Sequence, residues 1–176
     1  LKRTPQVRDV LLSGGDPLVL SDRRLGDIAQ SLATMEHVQV LRLHTRVPVV
    51  DPARITPALI AAFKSRLATY VVIHVNHADE ITTEAKQALA QLADNGIPLL
   101  SQSVLLRGVN DSVAALTRLM RTLVANRVKP YYLHHPDLAP GTGHFRLTIK
   151  EGQELTAQLQ GKMSGIAQPH YMLDIP

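Results

Sequence analysis

The chain has 176 residues, 45% of them hydrophobic, and Lys plus Arg exceed Asp plus Glu by 19 to 15. That length and apolar content suffice for one sizeable core and exclude a disordered chain; the charge excess is mild and spread out, with two Phe and four Tyr, which argues against a nucleic-acid surface. There is no Cys, so no disulfide or thiolate-metal frame stands within these residues; no apolar run approaches the roughly 20 residues of a membrane span, and a cytoplasmic protein is expected.

Apolar runs alternate with helical patterns along the whole chain. Residues 7–12 read as a strand that closes on Ser13-Gly14-Gly15-Asp16. Ser21 caps a helix whose apolar face is Leu25, Ile28, Ala29 and Leu32, the i, i+3, i+4, i+7 spacing. Residues 38–43 form a second strand, followed by His44-Thr45-Arg46. Thr56-Pro57 opens the next helix, because Pro at the first helical position forfeits no hydrogen bond, and Leu59, Ile60 and Phe63 make its buried face. Residues 70–75 are rich in β-branched residues and almost wholly apolar, as in a strand covered on both faces, and they run into His74-Val75-Asn76-His77.

From about Thr83 a third helix buries Ala85, Ala88, Leu89 and Leu92 and stops at Asn95-Gly96, where Gly supplies a left-handed residue. Residues 98–104 are strand four and contain Ser101-Gln102-Ser103. Asn110-Asp111-Ser112 caps a helix with Val113, Leu116, Met120, Leu123 and Val124 inward. Residues 128–133 are strand five, ending at His134-His135-Pro136-Asp137. The irregular stretch 136–143 is the best candidate for a functional loop. It leads to Thr148-Ile149-Lys150-Glu151, a capping box, and a helix continued by Leu155, Leu159 and Met163. Residues 171–173 are a short sixth strand, closed by Asp174.

Strand-helix units of roughly 30 residues are those of right-handed β/α/β crossovers. The expected fold is α/β, with about six parallel strands and helices outside, as a single core over residues 1–176. Periodicity leaves a barrel arc and an open doubly wound sheet both open. In either, the carboxyl ends of the strands share one rim, so the polar clusters that follow the strands converge.

Each cluster has a plain reading beside its functional one. Gly14-Gly15 permits a backbone path that a Cβ would block and exposes peptide groups to a ligand, or simply makes a turn. His74 and Asn76 share a face while His77 points away, so the spacing does not favour a metal pair; a hydrogen-bonded core His is the alternative. Gln102 lies on an otherwise Leu- and Val-rich strand, where an unpaired buried amide costs roughly 1–3 kcal/mol. Asp137 and Asp174 each follow an apolar strand, and two carboxylates at one rim suggest a cationic ligand. Alternatively Asp137 caps its loop, and Asp174 pairs with an Arg such as Arg46 or Arg146.

Taken together, these stretches strongly resemble the lysine 2,3-aminomutase family of radical S-adenosylmethionine, pyridoxal-phosphate-dependent enzymes. The resemblance is carried by Asp9-Val10-Leu11-Leu12-Ser13-Gly14-Gly15-Asp16, Arg46-Val47-Pro48-Val49-Val50, Ala53-Arg54-Ile55-Thr56-Pro57 and His74-Val75-Asn76-His77. It continues through Gln102-Ser103-Val104-Leu105-Leu106-Arg107-Gly108-Val109-Asn110-Asp111, Pro130-Tyr131-Tyr132 and Gly143-His144-Phe145-Arg146. The ten-residue block from Gln102 to Asp111 is the most specific of them.

The resemblance implies a partial (β/α) barrel of the radical S-adenosylmethionine type. In the family a [4Fe-4S] cluster cleaves S-adenosylmethionine, and the resulting radical moves the amino group of a lysine, held as a pyridoxal imine, from carbon 2 to carbon 3. Carried over by position, Ser13, Gly14, Gly15 and Asp16 would meet the methionine end of S-adenosylmethionine, with His74 and Gln102 nearby. Asp137 and Asp174 would grip the distal ammonium of L-lysine, and having both favours free L-lysine. A homo-oligomer without nucleic-acid or membrane partners is expected.

The family's CxxxCxxC cluster motif would lie before Leu1, and its pyridoxal lysine beyond Pro176. The chain therefore reads as the central segment of a longer protein, truncated at both ends and inactive by itself. The alternatives are an aminomutase acting on another amino acid or supplying β-lysine for elongation factor P, a catalytically silent ligand-binding barrel, and an ordinary phosphate-handling β/α enzyme.

Overall fold

Strand and helix alternate as the periodicity requires, and the computed structural model describes residues 1–174. The strands are β1 (Asp9–Leu12), β2 (Val40–Thr45), β3 (Ala68–His74), β4 (Leu99–Val104), β5 (Val128–His134) and β6 (His170–Met172). Six α-helices accompany them: α1 (Asp22–Ala33), α2 (Val47–Val50), α3 (Pro57–Ala62), α4 (Thr83–Asp94), α5 (Val113–Ala125) and α6 (Ile149–Leu159). The strands form one sheet in the order β1-β2-β3-β4-β5-β6; β1–β2, β2–β3 and β5–β6 pair parallel, with Asp9 opposite Val40, Val40 opposite Ala68 and His134 opposite Met172. Sequential order rules out a doubly wound sheet, in which strand order reverses at a switch point.

The chain packs as two compact units, residues 1–73 with 83–99 and residues 74–82 with 100–176. In the first, Leu25, Ala29 and Leu32 of α1, Leu59 and Ile60 of α3, and Ala85, Leu89 and Leu92 of α4 are buried, as are Leu41, Leu43, Val71 and Ile73 of the strands. α1 packs on α3 at Gly26, where an added Cβ would sit in ordinary van der Waals contact with Ala62 at 3.7 Å. Arg66 then takes up the carbonyls left at the end of α1, donating to Ala33, Met35 and Val38.

In the second unit the core is Leu105, Leu116, Leu119, Met120, Leu123, Val128, Leu133 and Leu159. On the expected inward face of α5, Leu116, Met120 and Leu123 are buried and Val113 and Val124 half-buried, and Leu119 joins the buried set. Leu116, Leu119, Met120 and Leu123 stand at i, i+3, i+4 and i+7 on one helical face. α6 begins with the capping box at Thr148 but ends at Leu159, so Met163 lies outside it.

The short α2 is absent from the sequence reading. With Pro48 in its first turn and three β-branched residues it has little intrinsic helix preference. It is fixed by burial of Val47 and Pro48.

Candidate functional site

The first unit contributes the loop that follows β1. Gly14 and Gly15 sit at φ +85° and +56°, and a Cβ built on either meets nothing within 4 Å. The glycines are thus required by conformation rather than crowding, and Ser13-Gly14-Gly15 present their peptide groups to open space. Asp16 is itself hydrogen-bonded at the base of this loop. Its Oδ1 accepts from the Leu18 amide at 3.0 Å and the Thr45 hydroxyl at 2.7 Å, and its Oδ2 from the Arg46 amide at 2.7 Å. The carboxylate therefore ties the loop to the end of β2. Arg54 braces the far side, donating to the carbonyls of Leu18 and Leu20 and pairing with Asp22 at 2.7 Å.

In the second unit His74 ends β3 and is half-buried. The strand does end between His74 and His77. Asn76 accepts the Val104 amide at 2.8 Å, and Glu80 accepts the amides of Asn76 and His77 at 2.7 and 2.8 Å. His77 caps the following turn, its Nδ1 accepting from the Asp79 amide. Gln102 is corrected from a buried amide to a half-buried one; Ser101 and Ser103 on either side, each 1% exposed, are the buried polar residues. Alternation along β4 turns Leu99, Ser101 and Ser103 to one face and Gln102 to the other. The Val75 amide donates to the Gln102 carbonyl at 3.1 Å, so His74 and Gln102 stand on adjacent segments of this unit.

Beyond β5 the same unit forms a cavity of about 530 Å³. Asp137 and Asp174 both line it, with Arg146, His135 and the side chains of Leu138, Leu147, Ile149 and Leu173. Asp137 is exposed and has no hydrogen bond or ion pair among the described residues. Asp174 pairs with His134, Nδ1 to Oδ2 at 3.0 Å, rather than with Arg146. Arg146 instead donates through Nη2 to the Ala139 carbonyl at 2.8 Å. His135 is oriented from behind by a 2.7 Å hydrogen bond between its Nδ1 and the Tyr171 hydroxyl. Burial pushes the Tyr171 phenol up, so it stays protonated at neutral pH. Gly152 makes room for it, since a Cβ there would fall 1.9 Å from the Tyr171 oxygen.

Two carboxylates against one guanidinium give the cavity a net negative charge. With apolar walls, that suits a ligand with an aliphatic stem and a cationic end. The sequence reading missed the apolar wall and the supports of His134 and Tyr171, because those partners lie 40 and 36 residues from the groups they hold.

No protein-family model matches the chain. It is 48% identical over 176 residues to the L-lysine 2,3-aminomutase of Fusobacterium nucleatum, covering all of this chain and 41% of that protein. It is 40% identical over 176 residues to the Bacillus subtilis L-lysine 2,3-aminomutase, again over the whole chain and 37% of the relative. The Escherichia coli protein of that name is 40% identical over 172 residues, 97% of the chain and 50% of the relative. The chain thus spans about half the length or less of these curated relatives.

Among solved structures it is similar to Streptococcus suis SuiB bound to S-adenosylmethionine, with TM-score 0.64 at 10% identity over 94% of this chain and 39% of that one. A domain of the pyruvate-formate lyase-activating enzyme of Bacteroides vulgatus gives TM-score 0.59 at 11% identity, over 94% and 98%. At such identities the likeness concerns the fold, a partial (β/α) barrel.

Proposed function

Because the chain belongs to the L-lysine 2,3-aminomutase family, we propose that it supplies the amino-acid cavity and part of the cofactor surface of an enzyme moving the amino group of L-lysine from carbon 2 to carbon 3. The observation that carries the reading is Asp137, a carboxylate without a partner among the described residues, sharing an apolar-walled cavity with Asp174. The distal ammonium of L-lysine meets this need, and the walls suit its methylene chain. A neutral side chain of the same length would leave Asp137 unpaired and Asp174 with His134 alone, which makes the pair a discriminator.

Ser13, Gly14 and Gly15 fit S-adenosylmethionine, because their open, glycine-backed peptide groups suit a ligand that approaches the main chain closely. Asp16 serves that surface by holding the loop in shape. His74 and Gln102 keep the same cofactor on the strength of the sequence match. When bound, S-adenosylmethionine supplies the radical chemistry, and the task of these residues is to bind and orient it.

The other implied groups do not fit residues of this chain. There is no Cys to hold an iron-sulfur cluster, and no group of three or more His, Cys, Asp or Glu among the described residues is placed to hold a metal. Lys129, whose ammonium burial pushes down, donates to the carbonyls of Pro130 and Gln168 rather than presenting a free amine for pyridoxal phosphate. The 176 residues alone are accordingly expected not to turn over L-lysine.

Calorimetry of the chain with L-lysine and its neutral isostere L-norleucine tests the reading. L-Lysine should bind and L-norleucine should not, and Asp137→Asn and Asp174→Asn should each weaken L-lysine by about tenfold or more. Equal binding of the two amino acids would remove the cavity's assignment.

A further inference from the structure

We propose that Arg107 is a positioning residue for the Asp137/Asp174 cavity, and that the block from Gln102 to Asp111 is the brace that holds it in place. The inference rests on the reading of that cavity as an amino-acid site.

β4 ends at Val104, and the chain must turn at once to enter α5. Within that turn the Val109 and Asn110 amides both donate to the Leu106 carbonyl, and Gly108 takes φ +74°. Asn110 is fully buried and saturated: its Oδ1 accepts the Leu106 amide at 2.7 Å, while its Nδ2 donates to the carbonyls of Asn76 and Val104 at 2.8 and 2.9 Å. The turn is thereby fastened to two strand exits, and the main chain of Arg107 has a fixed origin.

From that origin Arg107 reaches the segment that walls the cavity. Its amide donates to the Phe145 carbonyl at 2.8 Å and its Nε to the Arg146 carbonyl at 2.9 Å. Its Nη2 donates to both carboxylate oxygens of Glu151 at 3.0 Å. Glu151 in turn accepts the Thr148 amide and hydroxyl at 2.6 and 2.8 Å. Both ends of the stretch from Phe145 to Glu151 are thus held, and Arg146, Leu147 and Ile149 within it line the cavity. Arg146 extends the hold by its bond to Ala139 on the opposite limb of the loop.

The segment between β5 and α6 has no strand of its own; besides local bonds between residues 139 and 146, the ties from Arg107 fasten it to the turn after β4. The planar guanidinium reaches two acceptors in diverging directions, which an ammonium on a flexible stem does not reproduce. The cavity wall at Arg146, Leu147 and Ile149 therefore keeps its place through a residue that touches no ligand.

The test combines amide hydrogen exchange with L-lysine titration on Arg107→Met and Arg107→Lys, with Arg118→Met, an exposed Arg paired with Asp79, as control. Both Arg107 variants should exchange at least tenfold faster at Phe145, Arg146 and Thr148 and bind L-lysine several-fold more weakly, with the Lys variant failing to rescue; the control should change neither. Glu151→Gln, which removes the second half of the clamp, should give a smaller change of the same kind. Unchanged exchange in Arg107→Met overturns the clamp whatever the cavity binds. Faster exchange with unaltered L-lysine affinity overturns the positioning role. A wild-type chain that takes up no L-lysine fails the reading of the cavity and the positioning role with it, while the exchange result still stands for the clamp itself.

Discussion

Two loops of this chain each place an aspartate a few residues after a strand, and the two carboxylates have opposite fates. Asp16, after β1, accepts three hydrogen bonds within its own loop and from the end of β2. Asp137, after β5, has no partner among the described residues and faces a cavity. Sequence position alone does not separate a structural carboxylate from one reserved for a ligand. Their hydrogen bonds separate these two: Asp16 satisfies amides of a half-buried loop, whereas Asp137 leaves its acceptors unspent, as the proposed binding role requires.

The contrast breaks most sharply at Asp16. Removing its carboxylate by Asp16→Ala strands the Thr45 hydroxyl, which is 2% exposed with its residue, along with two amides. Charge-assisted hydrogen bonds are worth about 1.5–3 kcal/mol each and are not additive, so a loss of about 3 kcal/mol is expected in urea unfolding. A loss below about 1 kcal/mol would show that water replaces the carboxylate.

Next comes the support behind His135. Gly152→Ala should cost about 2 kcal/mol by overpacking against Tyr171. In a Tyr171→Phe background the cost should shrink, since the nearest clashing atom is gone, and a double-mutant cycle measures the coupling. Strict additivity would mean that Tyr171 does not occupy that space.

Asp137 gives the smaller effect on folding. Asp137→Ala should leave stability within about 0.5 kcal/mol of the parent, as for an exposed group without partners, while L-lysine affinity falls about tenfold. A large loss of stability would place Asp137 with Asp16 rather than opposite it.

The mildest test is pH. The Thr148 amide, then the Arg107 guanidinium and the Thr148 hydroxyl, hold the Glu151 carboxyl down at about 2, against an ordinary 4.5. A depressed carboxylate contributes stability that is complete above its unfolded value and is lost as pH falls through the folded one. The clamp between Arg107 and Glu151 should therefore be intact at pH 5 and above and weaken between about 4.5 and 2. NMR titration of the Glu151 carboxyl checks this; an ordinary midpoint near 4.5 would contradict the clamp's geometry.

Much of the architecture was legible in the residues. The caps at Ser21, Thr56, Ser112 and Thr148 appear where the sequence puts them, and Gly96 takes the left-handed conformation after α4. Caps and positive-φ glycines are decided within four residues of chain, where local chemistry suffices. α2 and the burial of Leu119 on α5 were not legible, since burial against other elements selects them over local preference.

At the candidate site the division is similar. The sequence by itself determined the alternation of strands and helices, the residue types at each strand end and the family resemblance, because these are properties of spacing and identity along one chain. Only the tertiary structure decided the sequential strand order, the consumption of Asp16, the pairing of Asp174 with His134 and the clamp by Arg107. Those depend on which groups, 29 to 44 residues apart in the chain, arrive within hydrogen-bond reach of one another. A carboxylate's task is set by the donors that reach it, and donors at such separations become neighbours only when the chain has folded.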